Sequence, residues 1–316
     1  IFHTNSKRVW DYLKPFSDWR PYFHRVLASI DGIEAPIPFN LNTMDKVFPR
    51  ALAERYGEKL IARFGFGARV PILQLMKEDD ADLKTLAAFV YEKVFKSYTF
   101  KQWELLPEEL SPSVTARVPI LVSRDDRYFQ DTYQAMPAQG YTALIERMLD
   151  HSGIHLMLRT DYREVRQLFP GARVIYTGPI DEYFDYCFGP LPYRSLAFRH
   201  ETVDKAQCQS VGTVNYPCEH EFTRVTEMRH LTGEDLPRST LIYECPQAHE
   251  VGANEPYYPI PRDETRAHHE RYVELARQRG DVLFCGRLGD YRYYNMDQAV
   301  AAALALFEKE IMSQAR

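Results

Sequence analysis

One stretch near the end of the chain restricts the fold more than any other part of the sequence. The apolar run Val282–Cys285 stops at Gly286, which predicts a buried strand followed by a turn. Asn295 and Asp297 can each cap a helix, and residues 299–307 are rich in the helix formers alanine and leucine. A strand, a glycine turn and a helix N-terminus can bind an anion, because unpaired amide N–H groups and the helix dipole face outward. The same pattern is typical of the last strand and helix of an α/β sheet.

Side chains around this turn favour a ligand site. Gly286 and Gly289 allow the backbone to approach a ligand closely, and Arg287 between them is a charged donor. Three tyrosines surround Arg292 directly afterwards: Tyr291, Tyr293 and Tyr294. We therefore expect the turn to contact an anionic ligand in addition to connecting a strand with a helix.

The overall composition excludes several classes of protein. The 316 residues are enough for two domains with a large core. With 39 basic and 44 acidic residues the net charge is −5, and no run of five basic residues occurs, so nucleic acid is not an expected partner. No apolar run reaches membrane-spanning length and no secretory signal opens the chain. We expect a cytoplasmic protein without a membrane partner.

The cysteines and paired aspartates do not predict a metal site. The five cysteines are odd in number and too widely spaced for a C-x-x-C site, so we expect reduced thiols. Asp125 and Asp126 are adjacent, but no histidine or third carboxylate lies at ligand spacing, which favours a solvated turn.

The remaining sequence predicts helices and mostly antiparallel strands. Residues 26–39 predict a hairpin around Asp31-Gly32, with two prolines placing its second strand at a sheet edge. Apolar residues recur at spacings of three and four within 45–98, which predicts helices, and 193–246 predicts a run of strands. We expect an α/β fold in which both ends of the chain form a nucleotide-type domain and the other parts are inserted.

Finer predictions concern single segments. Ile154–Leu158 and Ala172–Thr177 are expected to be strands. His268 and His269 are adjacent on a predicted helix, so they point in different directions, and we expect both at the surface. Gly65-Phe66-Gly67 imitates part of a dinucleotide fingerprint but follows a helix, so no phosphate loop is expected there.

Short motifs follow one another along nearly the whole chain: Ile1–Thr4, Asn40-Leu41, Tyr98–Trp103, Arg117–Pro119, Asp126–Phe129, Met136–Tyr141, Tyr176–Asp181, Tyr193–Leu196, Thr223–Glu227, Pro256–Pro259 and Gly286–Tyr293. Each is weak alone, but the ordered set is highly specific. In order and spacing they resemble the bacterial type of the UDP-galactopyranose mutase family.

The resemblance implies an activity and a cofactor. Enzymes of this family interconvert UDP-galactopyranose and UDP-galactofuranose with FAD, which must be reduced although no net oxidation occurs. Flavin N5 attacks the anomeric carbon and displaces UDP, and the resulting flavin–sugar iminium lets the sugar ring open and reclose in the other size. The implied partners are UDP-galactose and a second copy in a homodimer, and the product would supply a galactofuranose-containing cell-surface glycan.

The resemblance also implies three domains within an α/β fold. A discontinuous Rossmann-like FAD domain, here truncated, would comprise 1–24, 141–186 and 280–316. An inserted helical domain for substrate and dimer contacts would comprise 46–112. An antiparallel β-sheet substrate domain, with a mobile loop near 109–121, would comprise 25–45, 113–140 and 187–279.

Displacing UDP builds charge on a diphosphate, so arginines should converge on it. Arg117 and Arg224 match the family's phosphate-contacting arginines, and His3 matches a position lining the flavin and sugar pocket; we assign all three as catalytic. Taken alone, Arg117 would be an ordinary solvated loop arginine and His3 a half-buried histidine with its hydrogen bonds satisfied. Arg224 falls within a predicted strand, where a charge is costly unless it is paired.

The remaining site residues also come from the resemblance, because any one of these aromatics is more often core than ligand. Tyrosine rings can cover uracil and sugar while their hydroxyls donate to phosphate oxygens. The implied substrate-binding residues are Asn40, Tyr98, Thr99, Trp103, Tyr128, Phe129, Arg194, Tyr257, Tyr293 and Asn295. The implied cofactor-binding residues are Gly286, Arg287, Met296 and Asp297.

Two departures from the family pattern affect these expectations. The position of Asn295 is usually Asp, so binding there would keep a hydrogen-bonding oxygen but lose a charge. The family also begins with a strand, a Gly-x-Gly-x-x-Gly turn and a helix for FAD, and the match starts just after that unit. We therefore expect a fragment or a defective copy that binds FAD poorly.

Two rival functions stay open. One is a mutase for another nucleotide sugar, since the residues named above mostly contact UDP. The other is a non-catalytic remnant that binds a nucleotide sugar without flavin. A generic flavin oxidase is disfavoured, because such an enzyme does not need Arg117 and Arg224 beside so many tyrosines.

Overall fold

A computed structural model describes residues 1–111, 116, 118–260 and 262–312. Its helices, numbered α1 to α13, are Lys7–Leu13, Leu41–Val47, Arg50–Phe64, Ile72–Leu75, Ala81–Val90, Ser97–Trp103, Gly140–Leu149, Tyr162–Leu168, Ile180–Tyr183, Met228–Thr232, Asp263–Arg279, Gly286–Gly289 and Met296–Glu310. Its strands, numbered β1 to β14, are Phe2–Thr4, Trp19–Pro21, Val26–Ile30, Ile33–Ile37, Arg69–Val70, Ile120–Leu121, Tyr133–Pro137, Val174–Tyr176, Tyr193–Val203, Thr213–Asn215, Arg224–Glu227, Ser239–Ala248, Tyr258–Pro259 and Val282–Phe284.

The chain divides into two units, each built from separate stretches of sequence. Unit 1 contains residues 1–22, 131–193 and 251–316, and unit 2 contains 23–130 and 194–250. Both ends of the chain therefore belong to one unit. The finer division into three domains stays a prediction.

The sheet of unit 2 has six strands side by side in the order β9-β12-β11-β10-β3-β4. Neighbours are antiparallel except β3 and β10, which run parallel. The predicted hairpin is confirmed: β3 and β4 pair across Asp31 and Gly32, both of which have positive φ as a two-residue turn requires. β4 lies at the end of this order, as its prolines predict.

The helices of unit 2 form a second layer with its own apolar core. The predicted spacing in α5 is confirmed, since Leu83, Leu86 and Val90 are almost fully buried. The helical prediction over 45–98 misses the short strand β5, which pairs with β6. This strand follows the turn at Gly65–Gly67, where both glycines have positive φ and end α3. A π-helical stretch, Tyr91–Lys96, joins α5 to α6.

Unit 1 contains two small sheets. Strands β1, β7 and β2 pair antiparallel in the order β1-β7-β2, while β8 and β14 form a parallel pair. Phe2, Trp10 and Trp19 pack together beside the first sheet, with ring centroids 5.0 to 6.3 Å apart. Strand β1 lies close to the start of the chain, and Ser6 caps α1, because its side chain accepts a hydrogen bond from the Val9 amide.

Three predictions about single segments are wrong. Residues 154–158 form no strand, and Leu158 is 75% exposed, because the apolar run lacks a neighbouring strand in the described part of unit 1. His268 and His269 are half-buried rather than at the surface, since His268 bonds the Phe188 carbonyl and His269 stacks on Tyr291 within unit 1. The run of strands predicted over 193–246 is interrupted, because β11 ends at Glu227 and helix α10 follows.

Two further observations concern the chain as a whole. All five cysteines are free thiols. In the described ranges, no helix is both long enough and apolar enough to span a membrane.

Candidate substrate and cofactor sites

Arg224, predicted to be catalytic, and Tyr98, predicted to bind substrate, are brought together in unit 2. Arg224 is the first residue of β11 and its Nη2 donates to the Tyr98 hydroxyl. Its Nε lies 3.5 Å from Oε2 of Glu244, the residue opposite it on β12. The charge inside the sheet is thus paired with a carboxylate, as its position requires. Glu244 carries no motif and was missed in the sequence.

Helix α6 carries Tyr98, Thr99 and Trp103 on neighbouring turns. Thr99 and Trp103 are four residues apart, so they share a face, and both are buried. The helix ends at Glu104, which adopts the left-handed conformation with φ of 56°. The motif at 98–103 therefore forms one helix whose tyrosine contacts Arg224.

Arg194 holds the C-terminal end of α6. Its side chain is only 3% exposed, and it donates to the carbonyl oxygens of Gln102 at 3.0 Å and Lys101 at 3.4 Å. Its Nη1 also lies 2.7 Å from Oε1 of Glu104. These carbonyls end a helix and have no partner within it, so Arg194 satisfies them. The predicted substrate residue Arg194 thus has a structural contact in this chain.

Asn40, another predicted substrate residue, is a helix cap. It is fully buried, and its side-chain oxygen accepts a hydrogen bond from the backbone amide of Thr43 at 3.0 Å. In return, Thr43 Oγ1 accepts one from the backbone amide of Asn40 at 3.0 Å. The side-chain Nδ2 of Asn40 donates to Asp126 Oδ1 at 3.1 Å and to the Asp125 carbonyl at 3.3 Å. Asn40 thereby fixes both α2 and the loop that leads to Tyr128.

Tyr128 and Phe129 pack on each other and on His24. The two rings meet edge to face with centroids 4.9 Å apart, and His24 lies 5.9 Å from Tyr128 and 6.4 Å from Phe129. The Tyr128 amide also donates to the His24 carbonyl at 2.7 Å. His24 was missed because no pattern near it marks a site. The predicted catalytic Arg117 lies outside the described residues, as does part of the loop around it.

In unit 1, Arg287 is surrounded by tyrosines. It donates to the carbonyl oxygens of Tyr257 at 3.3 Å and Tyr294 at 2.5 Å. Its guanidinium carbon lies 5.3 Å from the ring centroid of Tyr258 and 5.4 Å from that of Tyr293. The structure therefore joins the predicted residues Arg287, Tyr257 and Tyr293, with Arg287 at their centre.

The helix start predicted near residue 296 is confirmed. Asn295 is the N-cap residue of α13, and its backbone amide donates to Gln298 Oε1 at 2.8 Å. Thr4 Oγ1 donates to Asp297 Oδ2 at 2.9 Å, which ties this helix start to β1. The exposed Met296 and the carboxylate of Asp297 thus lie on the first turn of α13.

The turn after β14 differs from the simplest prediction. Gly286 has a φ of +90°, as a turn glycine should, but a short helix, α12, follows before α13 begins. A Cβ at Gly289 would lie 3.1 Å from the Tyr176 carbonyl oxygen, so this glycine permits close packing on β8. Because β8 and β14 are parallel, Gly178 and Gly286 both follow strand ends at one edge.

His3 is paired with a carboxylate in unit 1. Its Nδ1 lies 2.8 Å from Oδ2 of Asp131, and Asn5 donates to the other oxygen of that carboxylate at 2.5 Å. Burial lowers the pKa of His3 despite the opposing effect of Asp131. Asp131 was missed in the sequence because it lies 128 residues away from His3.

Comparison with known proteins agrees with this arrangement of elements and motifs. The family model described as UDP-galactopyranose mutase matches residues 93–293. A probable UDP-galactopyranose mutase of Klebsiella pneumoniae is 33% identical over 318 residues, covering 100% of this chain and 81% of the relative. A dTDP-fucopyranose mutase of Escherichia coli is 30% identical over 311 residues, covering 96% of this chain and 81% of the relative.

A solved structure has the same fold. The crystal structure of a reduced UDP-galactopyranose mutase matches with a TM-score of 0.67 at 14% identity, covering 98% of this chain and 82% of that one. Since the family model matches more than half of the chain and the two relatives cover nearly all of it, the chain belongs to the UDP-galactopyranose mutase family, a family of isomerases.

Proposed function

We propose that this protein interconverts UDP-galactopyranose and UDP-galactofuranose with a reduced flavin, with no net oxidation. The observation that carries the proposal is the Arg224–Tyr98 contact, with Thr99 and Trp103 on the same helix. A cationic donor beside a phenol and a buried indole suits the diphosphate and base of a nucleotide sugar.

Arg224 would bind the diphosphate and stabilise the charge that grows on it as UDP leaves. Its Nη2 contacts Tyr98 and its Nε faces Glu244, so the guanidinium is oriented before the ligand arrives. An oriented donor costs little reorganisation when charge develops, which is the main source of electrostatic catalysis. We propose that Arg117 supplies a second positive charge, and that Tyr128, Phe129, Tyr257 and Tyr293 cover the base, diphosphate and sugar.

Residues of unit 1 fit part of an FAD site. The parallel strands β8 and β14 end at one edge, each with a glycine two residues later, and Gly286 holds a backbone conformation that suits close approach. We propose that Gly286, Arg287, Met296 and Asp297 contact the cofactor. Reduced FAD would supply the nucleophile for the anomeric carbon. His3, whose pKa is lowered by burial, would line the pocket beside its partner Asp131.

A mutase for another nucleotide sugar is the second candidate. The Escherichia coli relative is named as a dTDP-fucopyranose mutase, and its identity of 30% is close to the 33% of the Klebsiella relative. The residues proposed here mainly meet the base and diphosphate, so they suit either sugar. By the same family argument we propose a cytoplasmic homodimer.

Two measurements on the 316-residue chain test the proposal. Calorimetric titration with UDP should give saturable binding. After incubation with FAD and reduction, the chain should convert UDP-galactofuranose, which chromatography detects. dTDP-fucofuranose is tested as a substrate in the same way. Conversion of the dTDP sugar alone would move the assignment to the second candidate. UDP binding without flavin binding or turnover would support the non-catalytic remnant.

A further inference from the structure

Lys101 links α6 to the loop between β10 and β11. Its Nζ donates to the carbonyl oxygen of Tyr216 at 2.8 Å and to that of Glu219 at 2.7 Å. The side chain is half-buried, and burial lowers its pKa. An ammonium group has three donors and no acceptor, so two carbonyls in this loop are well suited to hold it.

Lys101 and Tyr98 reach two parts of one hairpin. They are three residues apart in α6 and share a face of the helix. Tyr98 contacts Arg224, the first residue of β11, while Lys101 contacts the loop just before it. The Tyr216 amide donates to the Thr223 carbonyl at 2.9 Å, which closes that loop immediately ahead of Arg224. A shift of the loop relative to α6 would therefore also shift the Tyr98–Arg224 contact.

Other tethers hold the loop to the rest of unit 2. Ser29 Oγ donates to Glu219 Oε2 at 2.9 Å, and the Cys218 thiol lies 3.5 Å from the Lys93 carbonyl. These tethers fix the loop to β3 and to the π-helical stretch. Lys101 differs from them because its contact comes from the helix that carries Tyr98.

We propose that Lys101 is a positioning residue: it sets α6 against the β10–β11 hairpin so that Tyr98 and Arg224 meet, and thereby controls affinity for a nucleoside diphosphate. The identity of that ligand rests on the proposed function. Lys101 acts through Tyr98 and Arg224 and does not itself touch the substrate.

Hydrogen exchange tests the structural part without any ligand. Lys101→Met keeps the length of the side chain but has no donor, Lys101→Arg restores donors, and Lys96→Met is the control, since Lys96 is an exposed partner of Glu92. Lys101→Met should speed exchange in 97–104 and at the Tyr216 amide, whereas the other two variants should resemble wild type. Unchanged protection in Lys101→Met would overturn the proposal. Should Lys101→Met fail to fold, Lys101→Gln replaces it with the same expected direction.

A double-mutant cycle tests the functional part. Because the Lys101 contacts are coupled to the Tyr98–Arg224 contact, calorimetry with UDP should give a Kd about tenfold higher in Lys101→Met than in wild type. Lys101→Arg should bring the Kd back to the wild-type value. In a Tyr98→Phe background, which lacks the hydroxyl that Arg224 contacts, Lys101→Met should add about twofold or less. Additive effects would overturn the proposal. If wild type does not bind UDP, the proposed function fails, and hydrogen exchange still decides the role of Lys101.

Discussion

At the scale of single residues, the site of unit 2 depends on how Arg224 is held. Glu244 offsets the charge of Arg224, and the Tyr98 hydroxyl accepts a hydrogen bond from Arg224 Nη2, so the guanidinium is fixed on the strand. Lysine would keep the charge but has a compact ammonium instead of a planar fork, and it cannot make these contacts together. The orientation of the donor, rather than its charge alone, should therefore determine affinity.

Arg224→Lys should weaken UDP binding strongly. Charge-assisted hydrogen bonds contribute roughly 1.5–3 kcal/mol, so we expect a Kd raised on the order of ten- to a hundredfold, measured by calorimetry. The control is Arg238→Lys, at an exposed arginine that pairs with Asp204. Equal affinity of Arg224→Lys and wild type would mean that Arg224 does not bind the diphosphate.

At the scale of elements, buried caps set where the functional loops lie. Asn40 ends the segment before α2 and also binds Asp126, whereas Ser6 caps the equally short α1 at a less buried position. Removing the Asn40 side chain takes away its hydrogen bonds to the Thr43 amide, the Asp125 carbonyl and the Asp126 carboxylate, and a buried polar group that loses its partner is costly.

Asn40→Ala should lower the free energy of unfolding by about 2 kcal/mol or more, at the upper end of cap substitutions. Ser6→Ala, the matched control, should cost about 1 kcal/mol or less. Urea denaturation followed by circular dichroism measures both. A loss in Asn40→Ala no greater than that in Ser6→Ala would contradict the role of the buried network.

Local signals predicted elements well, because their causes are local. Asp31-Gly32 marks its hairpin and Asn295 marks the start of α13, since turns and caps depend on neighbouring residues. Contacts between distant residues were not predictable in this way. Arg194 reaches Gln102 across 92 positions and Lys101 reaches Tyr216 across 115, and no spacing in the sequence records such pairs. The residue roles in the site came from family resemblance rather than from pattern.

At the scale of the whole molecule, stability should depend on pH through His269. Its ring stacks on that of Tyr291, with ring centroids 5.3 Å apart. Burial lowers the pKa of His269 from 6.5 to about 4. Glu270 opposes this shift, and Arg292 adds a smaller lowering effect. Because the folded state binds the proton less readily than the unfolded state, this contribution is complete above pH 6.5. It is lost progressively as the pH falls towards about 4.

His269→Gln should therefore reduce the acid sensitivity of the fold. The comparison is the urea midpoint of wild type and variant at several values between pH 7 and about 4, where the unfolded histidine gains its proton. His155→Gln, at an exposed histidine, is the control and should follow wild type. If the urea midpoint of His269→Gln changes with pH in the same way as that of wild type, His269 does not cause the pH dependence of stability.

The chain belongs to the UDP-galactopyranose mutase family, and we propose that it changes the ring size of UDP-galactose. The most direct measurement is chromatography of UDP-galactofuranose after incubation with the chain, a reductant and FAD in excess, since weak FAD binding is expected, beside the same mixture left oxidised. We predict UDP-galactopyranose only in the reduced mixture, and less of it when Arg224→Lys replaces the wild type. Flavin that binds and is reduced while UDP-galactofuranose stays unchanged would contradict the account.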